Sequence, residues 1–145
     1  MATIKAVSGI NTVIRNLTKA KGNLAAGTGR GLYLGGKHLQ RVSQEIVPVD
    51  LGSLRGSSFC RNVGGRGFDT DIVVGYGSEA ANYAVFVHED LNKKHGREFN
   101  IKYAKEIAAG KMNNRGENQQ AKFLESPARS ERRIIIKIIQ REARL

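Results

Sequence analysis

No internal disulfide can brace this chain, because Cys60 is the single cysteine in 145 residues. That count fits a reducing compartment, and its place in an alternating segment marks Cys60 as a quiet packing thiol. Long hydrophobic runs are missing too. No stretch approaches the roughly 18 apolar residues of a spanning helix, so no membrane span is expected. Met1 to Gly9 lack the charged region and apolar run of a secretory leader. Proline is confined to Pro48 and Pro127, so its backbone interruptions are expected at two places. The paired patterns that chemistry leaves in a sequence are also absent. There is no His-Glu-x-x-His run and no cysteine pair, and no nucleophile stands beside a base at a catalytic spacing. A single domain, 1–145, with one modest core is expected at this length.

What the chain has in excess is positive charge, a net +11. Residues 1–46 carry 7 Lys/Arg and 1 acid, residues 47–90 carry 3 and 6, and residues 91–145 carry 14 and 6. An acidic middle therefore lies between two basic flanks. That polarity suits like subunits meeting with opposite charges, and the total suits nearness to nucleic acid.

Along the chain, Thr3 to Val7 reads as a short edge strand. Ile10, Val13, Ile14 and Leu17 then share one helical face, and Gly22-Asn23 interrupts it. A second helix is expected over 23–46, with Leu24, Thr28, Leu32, Gly35, Leu39, Val42 and Ile46 at spacings of three and four. It carries Gly27, Gly29, Gly31, Gly35 and Gly36, each costing about 1 kcal/mol relative to Ala. Two explanations compete: close backbone approach to a partner, or a segment that orders only on assembly. Gly27-Thr28-Gly29-Arg30-Gly31 is not read as a phosphate loop, since no Lys-Ser/Thr follows and no buried parallel strand precedes it.

Three strands are expected next. The first spans 54–63 with Phe59 as anchor. The second spans 70–77 around Ile72, Val73 and Val74. The third spans 82–89, from Tyr83 to His88, and short turns favour an antiparallel meander. Residues 91–120 read as an extended polar docking loop; two readings stay open within it, a short helix at Phe99–Ala109 or loop throughout. A last helix is expected over 118–144. Phe123, Leu124, Ala128, Ile135, Ile138 and Ile139 form its apolar face, and Pro127 stands in its first turn or at a kink. The fold class is then α+β: a small antiparallel β-sheet packed on one face by a long N-terminal helix and a C-terminal helix.

The densest local signal is Pro48-Val49-Asp50-Leu51-Gly52-Ser53-Leu54-Arg55-Gly56-Ser57. Pro48 forces Val47 out of the α region, and Asp50 and Gly52 are turn formers. The decapeptide is an elbow between helix and sheet. It resembles the P-V-D-T-G-x-L-R-x-S signature of the tailed-phage tail-completion and neck protein family, which includes lambda Z-like minor tail or minor capsid proteins. Three further blocks are similar in the same order: Gly9 to Leu17, Tyr83-Ala84-x-Phe86-Val87-His88-Glu89, and Phe123-Leu124-Glu125-x-Pro127-Ala128. Leu51 departs from the family's Thr, and 95–120 is longer than in its shortest members. The resemblance implies a non-enzymatic virion protein of the head–tail junction, needing no cofactor or metal. It would form a homo-oligomeric ring joining the connector to tail terminator or tube proteins, with genome DNA in the lumen. It would reside in the host cytoplasm during assembly. The alternative class is a basic module that binds DNA without reading sequence.

Candidate junction and interface residues are Pro48, Val49, Asp50, Gly52, Leu54, Arg55, Ser57, Tyr83, Phe86, His88, Glu89, Phe123 and Leu124. Asp50 pairs with Arg55 across the turn or caps local N–H groups. On a strand Tyr83 and Phe86 point to opposite faces, with Phe86 expected in the core and Tyr83 at an interface. His88, Glu89, Asp90 and His95 are read as a strand-end hydrogen-bond cluster in preference to a metal site, because His88 and Glu89 would also diverge. Arg129, Arg132, Arg133, Lys137 and Arg141 form a basic run with partial helical spacing. Its readings are a solvated face, or a contact with DNA or an acidic neighbouring ring.

Overall fold

The computed structural model describes residues 3–48, 53–77, 81–89 and 121–144. Its organising element is one helix, α1 (Thr3–Ile46), 44 residues long. At ~1.5 Å rise per residue it extends about 66 Å. The strand expected at Thr3–Val7 is instead the start of α1, and Gly22-Asn23 does not break it. No described strand pairs with 3–7, whereas each added helical residue gains a hydrogen bond once the helix exists. One interior Gly costs only about 1 kcal/mol against that.

Beyond Pro48, α2 (Ser53–Gly56) is a single turn. It takes over the start of the strand expected at 54–63. The strand itself, β1 (Ser58–Gly64), pairs antiparallel with β2 (Asp71–Tyr76), running from Ser58 opposite Tyr76 to Gly64 opposite Asp71. Gly65 and Gly67 turn the hairpin at φ 67 and 65, values that a side chain disfavours. The sheet has two strands among the described residues. The third expected strand is α3 (Ala81–Glu89), a helix. Among its described side chains Ala84 and Val87 are buried, whereas Val85, Phe86 and Glu89 are exposed. A spacing of three serves one helical face, whereas a strand would bury alternate residues. The C-terminal helix is two pieces, α4 (Glu125–Ser130) and α5 (Arg132–Ala143), parted at Glu131, with Pro127 buried in the first turn of α4.

The result is α+β, with the hairpin on one side of α1 and α5 on another. Helix α5 runs antiparallel to α1, Ile135 lying by Gly35 and Glu142 by Gly27. A Cβ at Gly27 would strike the Glu142 carbonyl oxygen and lie 2.9 Å from the Ala143 Cα. One at Gly31 would lie 2.8 Å from the Ile139 Cα. The two backbones are therefore closer than side chains permit. Around the helix, Gly36 makes room for Ile72, Val74 and Cys60 of the hairpin. Of the two explanations for the glycines, close approach is the one realised, and the partners belong to the same chain.

Glycine positions on α1 should consequently answer alanine with opposite signs. Gly22 has open space around the added methyl, so Gly22→Ala should stabilise by about 0.5–1 kcal/mol through helix propensity. Gly27→Ala meets backbone that cannot swing aside, and should destabilise by about 1–3 kcal/mol despite the same gain. Urea unfolding of the two variants checks both signs.

Candidate assembly site at the elbow

Three of the sequence blocks that lie far apart in the chain meet in one place. Val47, Leu54, Ala84, Val87 and Phe123 form a single buried cluster, with Ile46, Tyr76 and Leu124 packed against it. Pro48 is buried beside Val47 at the end of α1. Phe123 packs T-shaped against both Tyr76 and His88, with ring planes at 84° and centroids 5.0 Å apart in each case. Such pairs add about 0.5–1.5 kcal/mol beyond the area they bury. Phe123 is thus the plug between hairpin, α3 and C-terminal helices.

Polar groups lock the elbow around this plug. Ser43, fully buried on α1, shares a 2.7 Å hydrogen bond with the Tyr76 hydroxyl. Burial pushes the Tyr76 phenol up, opposed by the Ser43 bond and the Arg55 charge. Gln40 donates to Ser58 Oγ at 3.1 Å, and Gln44 donates to the same oxygen. Within the elbow, Ser57 Oγ donates to the Leu54 carbonyl at 2.8 Å, and the Gly77 N–H donates to the Ser57 carbonyl at 3.1 Å. Ser57 therefore ties α2 to the end of β2.

Lys122 clamps the far side. Its backbone sits at φ 57, in the left-handed region, which costs a non-glycine residue on the order of 1 kcal/mol. The conformation lets its N–H donate to the His88 carbonyl at 2.8 Å while Nζ donates to Glu89 Oε2 at 2.6 Å. His88 Nδ1 lies 2.8 Å from the other Glu89 oxygen. The Lys122 and His88 hydrogen bonds hold the Glu89 carboxyl below its ordinary range, and the Glu89 bond raises the Lys122 ammonium. The expected strand-end cluster is corrected here: His88 and Glu89 are neighbours on a helix and bond to each other. Phe86 is corrected as well. It is 74% exposed, because α3 turns Ala84 and Val87 inward instead.

Leu54, Phe123 and Leu124 fall in or against the buried cluster, and Arg55 is half-buried at its margin. Val49, Asp50 and Gly52, with the Asp50–Arg55 pairing, lie outside the described residues. So do Asp90, His95, the 91–120 loop, the Phe99–Ala109 helix and the side chain of Tyr83. Ser43, Gln40, Tyr76 and Lys122 are cluster residues that the sequence reading missed. Ser43 and Gln40 share one helical side at a spacing of three, but that reading followed only apolar and small residues along α1.

The basic run divides by face. Ile135 and Ile139 look toward α1, so Arg133, Lys137 and Arg141, each four apart, line the outer side of α5. Arg132, Arg133 and Lys137 form no ion pair among the described residues, while Arg129 pairs with Glu125 at 2.7 Å. A groove lined by Lys37, His38, Gln40, Arg41 and Gln44 has its polar atoms engaged nearby. Lys37 bonds Gln40, Arg41 bonds Glu45, and His38 Nε2 lies 2.8 Å from Glu131 Oε2. Cys60 faces Gly36, and burial pushes its thiol up against the opposing pull of Lys37. That leaves little thiolate for nucleophilic attack. No described helix is long and apolar enough to cross a membrane. Compared with known proteins, the chain matches no family model, no curated protein and no solved structure.

Because the fold depresses the Glu89 carboxyl, its contribution to stability is complete above the ordinary 4.5 and is lost as pH falls through the lower folded value. Glu89→Gln should leave less stability to lose in that acid window. Urea midpoints measured from pH 6 down to about pH 3 should therefore converge for parent and variant as acid is added.

Proposed function

We propose that this chain is a non-enzymatic structural subunit of a tailed-phage head–tail junction. Copies would form a ring between connector and tail around the DNA channel. The observation that carries the reading is the convergence of the Pro48–Ser57, Tyr83–Glu89 and Phe123–Ala128 blocks on one buried plug. Leu54, Ala84, Val87 and Phe123 from these three blocks pack together and fix a hairpin and a short helix against the end of a long one. Interlocked cores of this kind suit a part that must tile without changing shape. Side-chain-resolution imaging of intact phage necks tests the proposal. The expected result is this chain in a ring of copies at the junction. Its absence from the particle, or its presence there as a lone copy, overturns the reading.

A second reading, a basic module that binds DNA without reading sequence, is favoured by one observation: the Arg133–Lys137–Arg141 ridge. These cations are exposed, repeat about every 6 Å along the helix axis, and stand where phosphates can reach them. Duplex retention at about 50 mM salt should fall steeply as salt rises. Arg133→Glu with Lys137→Glu should abolish it, whereas equal retention by parent and double variant would remove the ridge from any DNA contact.

A further inference from the structure

Ile10, Val13, Ile14 and Leu17 line one side of the N-terminal half of α1, each 55–64% exposed. Ile10, Leu17, Leu24 and Gly31 recur every seven residues, so this stripe runs onto the side of α1 that α5 covers. Helix α5 ends at Ala143, beside Gly27. The face it packs against therefore continues from Gly27 to Ile10, about 25 Å of helix, with no other described element covering it.

Charge decides what fits there. No acid precedes Glu45 in the sequence, and Arg15, Lys19 and Lys21 are the charged residues of this stretch. Two such stripes laid together would oppose cations with no carboxylate between them, which is unfavourable. A self-complementary pairing is thereby disfavoured. The chain shows another apolar pair, Val85 and Phe86 on α3, 63% and 74% exposed. Helix α3 carries no Lys or Arg; its Glu89 is already bound by Lys122, but the 47–90 segment it belongs to has 6 acids against 3 Lys/Arg. The helix is anchored through Val47 to the opposite end of α1, about 45 Å from Leu17 by helix rise. One copy cannot bring these two patches together. A contact between unlike patches passes from copy to copy and closes a ring when the rotation permits.

We infer that the Ile10–Leu17 stripe of one copy seats Val85 and Phe86 of the next copy. The inference rests on the ring reading above and supplies its subunit contact. Leu17→Asp and Phe86→Asp test it, since both side chains are exposed and their loss should leave the far-UV helix signal unchanged. By light scattering, the full-length parent should be a multi-subunit oligomer and each variant a monomer. Mixed one to one, the variants should form a species of two chains, because one retains a working stripe and the other a working α3 patch. Assembly of either variant alone to the parent's size overturns the contact. So do a Phe86→Asp dimer beside a Leu17→Asp monomer, a mixture that stays monomeric, and a parent that is monomeric at about 100 µM. A ring seen in phage necks with these patches apart would sink the contact and keep the neck assignment. A chain missing from particles would sink that assignment whatever the mixture does.

Discussion

The approach of the α1 backbone to the α5 backbone at Gly27 and Gly31 is the constraint on which the other packing depends. With side chains at those positions α5 would stand off. Helix α4 and the Lys122–Phe123 segment lie just upstream on the same chain, so the plug would move with it. Two polar contacts hold the seam in register. Arg30 reaches Glu142 at 2.8 Å near one end, and His38 reaches Glu131 at 2.8 Å near the other. The Arg30 hydrogen bond draws the Glu142 carboxyl below its usual range. Neither contact drives the packing: the Arg30–Glu142 ion pair, its Arg exposed, contributes at most about 1 kcal/mol, and a single hydrogen bond such as His38–Glu131 about 0.5–1.5 kcal/mol net. They select one alignment of an interface that apolar contact and close backbone fit stabilise.

That seam gives the molecule two different ends. At one, the elbow core binds hairpin, α3 and α4 around Phe123. At the other, α1 extends past the other described elements, carrying apolar residues that are exposed. A helix this long does not keep an uncovered apolar face for its own stability; most helical stability comes from tertiary packing of that face.

Much of the fold was legible before the structure. Ile72 to Val74 announce β2, Gly64 to Gly67 the hairpin loop, and Ile135 to Ile139 between charged flanks the C-terminal helix. Pro48 marks the end of α1 and Pro127 the first turn of α4. Tyr83 to Val87 was misread because a short run of apolar residues suits a buried strand and a helix equally by periodicity. What settles it is the pair Ala84 and Val87 closing over Val47, Leu54 and Phe123, which are distant in sequence. The long helix misled in the opposite way. Its large apolar residues suggest one buried face, while its tightest contacts use glycines on two sides, and glycine gives no hydrophobic signal. Lys122 was invisible for a related reason, since its left-handed backbone is held by His88 and Glu89, not by its own preferences.

The amino-acid order by itself determined the α+β class, the elbow at Pro48, the segregation of charge and the hairpin, because each depends on residues close together in the chain. Tertiary structure alone decided that α1 runs unbroken, that α3 is a helix with Phe86 outward, and which glycines touch which backbone. Those outcomes turn on contacts between segments up to about a hundred residues apart. There the free energy of burying one face against a particular neighbour outweighs local propensities of about 1 kcal/mol per residue.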